Sequence, residues 1–314
     1  MEEQIKSFLI KKNFSFLPKH FDVKLIGNGA YNTNFLIDGE KRFVFRVNTH
    51  TDQVAGKGLD NEHTILTSLP KGIAPKSFYV DVSKMEFPFP FRIEEFKEGS
   101  CPTHFSKKLL GTLAKTLALL HQKKFRLSGT FPGNTEGFRF ENFMRPFLEQ
   151  LKGKDKNIDK IIEKAKLFVK YYDKQNPLTS FSLIHFDIHL HNMLYDQKNL
   201  TLVDWEYAEI GDSAIDIATV FWYSPMFDYS PIFSEKERVF FLERYIEASE
   251  NPEIVSRLKI AEPIIVLIQT LWLKAQLDNI DQIPSHIRTE DRIQRYRKGF
   301  EIGLNFLRKH DFSF

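Results

Sequence analysis

Residues 185 to 206 read HFDIHLHNMLYDQKNLTLVDWE, a stretch that gathers three histidines, three aspartates and a glutamate among apolar residues. Asp187 and Asn192 stand five positions apart, and Asp204 follows two short apolar runs that predict a hairpin. Such a hairpin would return Asp204 towards the Asp187 loop, so that two carboxylates and an amide oxygen converge. Hard oxygen donors of this kind suit Mg²⁺, with water and substrate phosphates completing its shell. A second chemistry is zinc bound by His185, His189 and His191, although neither a thiolate nor a spaced His/Glu helix motif accompanies them. A third reading has these polar groups capping a turn and satisfying backbone. Carboxylates flanked by strand-forming residues are costly unless a cation neutralises them, which favours the first.

These groups need rigid elements to carry them. SLIHF, NMLYD and LTLVDW are short and strand-like around the stretch itself. Upstream, VKLIGNGAYNTNFLID and GEKRFVFRVN predict three strands joined by two turns, followed by a helix over LDNEHTILTSLP and strands at APKSFYVDV and PFRIEEF. After KEGSCPTHFS the pattern changes: SKKLLGTLAKTLALLHQ carries Leu and Ala at helical spacing, and helical patterns dominate from there to the C-terminus. The lysine-rich stretch LKGKDKNIDKIIEKAKLFVKYYDK keeps helical periodicity and reads as a solvated helix face. The expected architecture is α+β, with a small antiparallel β lobe holding one main helix over residues 1–98, and a larger, mainly α lobe over residues 99–314.

The bulk composition agrees with a globular chain that has a full core: 314 residues, 42% hydrophobic and 27% charged, with 31 Phe. A formal charge of +3 from 44 basic and 41 acidic residues excludes an argument for nucleic acid or a polybasic membrane patch. The lone Cys101 permits no intramolecular disulfide and reads as an unreactive side chain in a reducing compartment. The start MEEQIKSFLIKKNF lacks a basic opening and an apolar run, and AEPIIVLIQTLWLKAQL is interrupted by Glu262, Gln269 and Lys274. A cytoplasmic protein without a membrane span is expected, and the latter segment predicts a buried helix.

HFDIHLHN followed by LVDWEYAEIGDSAIDIA resembles the catalytic segment of the aminoglycoside phosphotransferase and choline kinase superfamily, relatives of the protein kinases. That resemblance implies a kinase-like two-lobed fold and phosphoryl transfer from Mg-ATP to a hydroxyl group. It makes Asp187 the catalytic aspartate that orients the hydroxyl and takes its proton, and Asn192 and Asp204 the ligands of Mg²⁺ on the nucleotide phosphates. Asp216 would brace the catalytic loop through its backbone, and His185 would support it from the core. Phe186 departs from the family, which commonly has glycine there.

The upstream segment IGNGAYNTNFLID resembles the family's phosphate-covering hairpin, with Gly27 and Gly29 allowing close approach and Asn32 supplying polar groups up to Asn34. Arg46 in RFVFRV lies where kinases place the phosphate-contacting lysine, and Glu62 matches the acid that pairs with that cation. RIEEFKEG resembles the hinge, where the backbone of Glu95, Phe96 and Lys97 would meet the adenine.

The acceptor is a small molecule whose identity the resemblance leaves open. VDWEYAEIGD is worded like the choline and ethanolamine kinase branch. Trp222, Tyr223, Tyr229 and Trp272 could offer faces to a quaternary ammonium, or belong to the core. Glu206, Glu209 and Asp212 would suit any cationic acceptor. Aminoglycosides and thiamine are the alternatives within the reaction class. A catalytically silent nucleotide-binding module is the alternative outside it.

Overall fold

The computed structural model describes residues 1–28, 32–49, 58–122, 124–125, 159–160, 163, 166–170, 181–228, 230–283, 285 and 288–309. Gly29, Tyr229 and most of the lysine-rich stretch fall outside that set. The chain divides into two compact units: Met1–Cys101 with Met193–Ala208, and Pro102–Asn192 with Glu209–Phe314.

The first unit is organised by a five-stranded antiparallel sheet in the order β1-β2-β3-β5-β4, formed by β1 (Phe21–Asn28), β2 (Asn32–Gly39), β3 (Phe43–Asn48), β4 (Ser77–Asp81) and β5 (Phe91–Glu95). Alternation along a strand sorts its residues between two faces. Phe43, Phe45 and Val47 of β3, with Phe91 and Ile93 of β5, enter a core that also takes Ile5 and Leu9. The rings of Phe45 and Phe91 stack at 4.6 Å, and Phe8 packs edge-on against Phe91 at 5.3 Å. Ile5, Phe8 and Leu9 come from α1 (Glu2–Lys12), where i, i+3 and i+4 spacing aligns them on one stripe. The alternate positions, Arg46 on β3 and Arg92 and Glu94 on β5, are also buried. They share their surroundings with Glu62, which lies one turn from Leu59 on the buried stripe of α2 (Leu59–Ser68). The hairpin of β8 (Met193–Tyr195) and β9 (Leu200–Leu202) joins this unit through a Ser100–Tyr195 bridge and a 2.7 Å bond from Leu202 N to the Ile73 carbonyl.

The second unit is mainly helical. Its described helices are α3 (Lys107–Gln122), α4 (Ser213–Phe227), α5 (Glu235–Ser249), α6 (Ile254–Asp278) and α7 (Glu290–Lys309). A small sheet in the order β10-β7-β6 joins β10 (Glu209–Gly211), β7 (Phe181–Ile184) and β6 (Lys124–Phe125). Every residue of α4 from Ser213 to Met226 is buried, the behaviour of a helix apolar on all sides. The expected buried helix from Ala261 is the greater part of α6. Two glycines of α7 allow close packing: an added Cβ at Gly299 would lie 2.1 Å from the Met226 carbonyl oxygen, and one at Gly303 2.0 Å from Thr270 Oγ1. No helix among the described residues is long and apolar enough to cross a membrane.

Candidate active site

In the second unit β7 delivers the chain into the loop that carries Asp187. Asp216, fully buried in the first turn of α4, accepts hydrogen bonds from His185 N at 2.9 Å and Phe186 N at 2.7 Å. His121 Nε2 lies 3.0 Å from the same carboxylate, and its Nδ1 lies 2.9 Å from Tyr245 Oη. Helix α4 thus grips the loop by its backbone. His185 is itself buried, and its Nδ1 accepts from Asp187 N at 3.3 Å.

Phe186 has φ of 67°, the left-handed region that side chains disfavour, yet its ring is buried. This is the physical content of the departure noted in the sequence. The turn has a shape that glycine fits without strain, and here a buried phenylalanine occupies it.

Asp187 is held from two sides. The Nδ2 of Asn192 donates to the Asp187 carbonyl at 2.9 Å and to its Oδ2 at 2.7 Å, which leaves Asn192 Oδ1 as the group suited to a cation. His189 places Nε2 3.7 Å from Asp187 Oδ2 and Nδ1 3.4 Å from Asp228 Oδ2, and His191 Nε2 lies 3.3 Å from Asp228 Oδ1. Burial opposes charge on His189, but the flanking carboxylates of Asp187 and Asp228 outweigh it and push its pKa up to about 10. Burial likewise opposes the Asp187 carboxylate, and His189, His185 and Asn192 together hold it below the usual range. Asp187 is therefore a charged acceptor at neutral pH. The histidines alternate with carboxylates as ion partners, and no group of three or more His, Cys, Asp or Glu among the described residues is arranged to hold a metal ion.

Asp204 belongs to the first unit. It has φ of 67°, and Arg46 Nη2 reaches its Oδ1 at 2.6 Å. Arg46 is buried, and its Nε has no hydrogen-bond partner, an orphan donor suited to a phosphate oxygen. The expected Arg46–Glu62 pair takes another form. Glu62 Oε2 makes its ion pair with Arg92 Nη1 at 2.6 Å, and Glu62 Oε1 accepts from Trp205 N at 3.1 Å. Arg46 senses Glu62 only through its charge. Burial would raise the Glu62 pKa, but Arg92 and then Arg46 bring it down to about 2. Arg92 passed unread because a charge on a strand is ordinarily a solvent-side residue; its alternation with Phe91 and Ile93, opposite Arg46 across β3 and β5, is the signal that could have found it.

In the segment expected to meet the adenine, Glu95 N donates to the Lys76 carbonyl at 2.8 Å and Phe96 N to the Arg42 carbonyl at 3.3 Å. Those two donors are committed to the sheet, so Lys97 N is the donor of the three that could serve a ligand. Lys97 Nζ meets Glu95 Oε1 at 2.8 Å. Gly27 follows a bulge in β1 and has room for a Cβ, its nearest neighbour being Asn34 Nδ2 at 3.8 Å. Buried Asn32 Oδ1 and Asn34 Oδ1 lack hydrogen-bond partners.

The acceptor candidates separate. Asp212 is a structural group: buried, it caps α4 by accepting from Ala214 N at 3.1 Å, and Arg257 grips it through Nε at 3.0 Å and Nη2 at 2.7 Å. Trp222 is buried, with its Nε1 bonded to Glu262 Oε1 at 3.0 Å and its ring against Phe306. Trp272 is half-buried between Phe227 and Tyr296, with ring centroids 5.4 Å away on each side. Tyr223 also meets Phe227. Glu206 is half-buried in the turn after Trp205, and Glu209 is buried in β10.

Residues 22–255 match the family described as the phosphotransferase enzyme family. Over 167 residues the chain is 29% identical to the protein LicA homolog of Metamycoplasma hominis, a match covering 53% of this chain and 59% of that protein. The chain thus spans less than two thirds of that relative's length. It is 24% identical over 207 residues to a thiamine kinase of Shigella boydii, covering 65% of this chain and 68% of the relative. The solved ethanolamine kinase of Plasmodium vivax superposes with a TM-score of 0.70 at 17% identity, over 97% of this chain and 89% of the other. The fold is α+β and kinase-like, with an antiparallel sheet in the N-terminal part and mostly helices in the C-terminal part.

Proposed function

We propose, from the premise that the chain belongs to the phosphotransferase enzyme family, that it transfers the terminal phosphoryl group of ATP to a hydroxyl of a small cationic metabolite. The observation that carries this reading is Asp187 itself, a carboxylate held charged on a loop that Asn192 and Asp216 fix from opposite ends. Phosphoryl transfer asks chiefly for positioning and charge neutralisation, and a fixed, ionised carboxylate can align a hydroxyl and accept its proton.

Each unit offers groups of the kind that a metal-bound nucleotide takes. Asn192 Oδ1 and the Asp204 carboxylate are the oxygen donors that would hold Mg²⁺, which when bound offsets charge on the phosphate oxygens. Around Arg46, two guanidiniums (Arg46, Arg92) face three carboxylates (Glu62, Glu94, Asp204), a balance that a cation would complete. The orphan Nε of Arg46 suits a phosphate oxygen, and Lys97 N, next to the committed Glu95 N and Phe96 N, suits an adenine ring nitrogen. Gly27 and Asn32 are described residues of the segment that resembles the phosphate-covering hairpin.

Choline or ethanolamine is the favoured acceptor, with thiamine and aminoglycosides as competitors. The names of the relatives, a thiamine kinase and an ethanolamine kinase, agree in the positive charge of the compounds they specify. The half-exposed Trp272 ring, between Phe227 and Tyr296, is the aromatic face suited to such a cation.

The test is ATP consumption by the purified chain across choline, ethanolamine, thiamine, an aminoglycoside panel and a panel of neutral sugars and polyols, with Asp187→Asn in parallel. Turnover with one of these, lowered at least about 10³-fold in Asp187→Asn while nucleotide affinity is kept, is expected. Undiminished turnover in that variant would sink the assignment of Asp187, and turnover with a neutral acceptor alone would sink the cationic class.

A further inference from the structure

We infer that Arg92 is a positioning residue for the nucleotide site: it takes Glu62 as its fixed partner, sets the backbone that carries Asp204 and leaves Arg46 free to serve phosphate. The inference rests on the phosphotransferase reading for what the site binds, and on the first unit's own geometry for how it is held.

Arg46 and Arg92 are direct cross-strand partners in the register of β3 and β5, and both are buried. Like charges placed opposite each other repel, and a buried guanidinium requires an acid close by. The two arginines solve this by dividing the acids. Arg92 sends Nε and Nη2 to Glu94 Oε2 at 3.0 and 2.7 Å, and Nη1 to Glu62 Oε2 at 2.6 Å. Arg46 sends Nη2 to Asp204. Arg92 is 1% exposed and touches two acids directly, so it is a fixed post, whereas Arg46 touches Asp204 with Nη2, feels Glu62 and Glu94 only through their charge, and keeps Nε without a hydrogen-bond partner.

The post is coupled to the metal-binding segment through one carboxylate. The oxygen of Glu62 that Arg92 leaves untouched accepts from Trp205 N at 3.1 Å, one residue beyond Asp204. Trp205 is fully buried, and its indole Nε1 donates to the Leu202 carbonyl at 2.9 Å, closing the turn in which Asp204 has φ of 67°. A helix (α2), a strand (β5) and the turn after β9 therefore meet at Glu62. Were Arg46 the direct partner of Glu62, one guanidinium would have to anchor α2 and also hold the phosphate side. Here the two tasks belong to two side chains.

The test uses Arg92→Lys, which keeps the charge but cannot contact both acids as the guanidinium fork does, and the double variant Glu62→Gln/Arg92→Met, which removes both charges together should the single change fail to fold. In the metal-free 314-residue chain, amide hydrogen exchange at Trp205 is measured by NMR. Exchange at least about tenfold faster than wild type is expected, since looser hold on Glu62 loosens its bond to that amide. In the presence of a fluorescent ATP analogue, the Mg²⁺ concentration giving half-maximal tightening of binding should rise about tenfold, while affinity without Mg²⁺ changes less than twofold. A merely structural role would lower Tm and leave that Mg²⁺ midpoint in place. Wild-type Trp205 exchange, or an unmoved Mg²⁺ midpoint, in a folded variant overturns the positioning role. Failure of the phosphotransferase reading shows separately, as absence of turnover in the wild-type chain, and does not affect the exchange measurement.

Discussion

The Nε2 of His189 stands 3.7 Å from Oδ2 of Asp187, so the carboxylate central to the loop has a cation only two residues along the same chain. On its other side His189 meets Asp228, which also faces His191. Because His189 is pushed up to about 10 from an ordinary value near 6.5, its contribution to stability is fully present below about pH 6.5 and is lost as pH rises through 10.

Replacing this residue, His189→Gln, should lower stability at pH 6 by about 2 kcal/mol by leaving two carboxylates without their shared cation. Urea unfolding at pH 6, 8 and 10 should show the gap between wild type and variant shrink steadily. His191 keeps its own contact with Asp228 in both proteins. A gap independent of pH would refute the charged state of His189.

Phe186 makes the usual order of substitutions reverse. Its backbone at φ of 67° costs about 1 kcal/mol for a residue with a Cβ, whereas its buried ring contributes about 2–3 kcal/mol. Phe186→Ala loses the ring and keeps the strain; Phe186→Gly loses the ring and relieves the strain. Both variants should be less stable than wild type, with glycine about 1 kcal/mol better than alanine in denaturant titrations. Alanine above glycine would contradict the account.

Asp216→Asn replaces one accepting oxygen by a donor where His185 N, Phe186 N and His121 Nε2 converge. A loss of about 3 kcal/mol in unfolding free energy is expected, because hydrogen bonds to a buried charged group are lost without replacement. Amide exchange at His185 and Phe186 should accelerate with it. A loss below about 1 kcal/mol would mean that the loop is held by something other than α4.

Arg257→Met takes the guanidinium away from the buried Asp212 carboxylate, which still caps the N-terminus of α4, at a cost of about 2 kcal/mol. Adding Asp212→Ser, which can still cap the helix, should recover most of that loss. The acceptor KM of Arg257→Met should equal that of wild type, because Asp212 is occupied with its helix. A raised acceptor KM at unchanged stability would return Asp212 to the acceptor site.

Much of this arrangement is legible in the sequence. The Gly/Asn turn, the alternation in RFVFRV and the leucine stripe of SKKLLGTLAKTLALLHQ led to β1–β3 and α3 because each buries one face of a simple period. Asp187 and Asn192 were visible through their spacing, which places an amide within reach of its own loop. What escaped depended on pairing across distant segments. Arg92 and Glu94 sit in a strand buried on both faces, and the partners that hold their charges, Glu62 above all, lie on a different element. Asp212 looked like an available acid because a helix cap and an arginine 45 residues away cannot be read from neighbouring sequence. The attachment of Met193–Ala208 to the N-terminal unit rests on bonds to Ser100 and Ile73, contacts that no local pattern announces.

The close seating of Gly299 and Gly303 turns α7 into a keyed joint. At these two points a missing side chain on one helix admits the Met226 carbonyl of α4 and the Thr270 hydroxyl of α6. Sliding α7 by a single residue would bring Phe300 or Leu304 to a notch that has no space for a methyl group. The helix consequently has one admissible register, and any adjustment around the Trp272 ring must come from side-chain rotation, with the backbone of the bundle acting as a fixed frame.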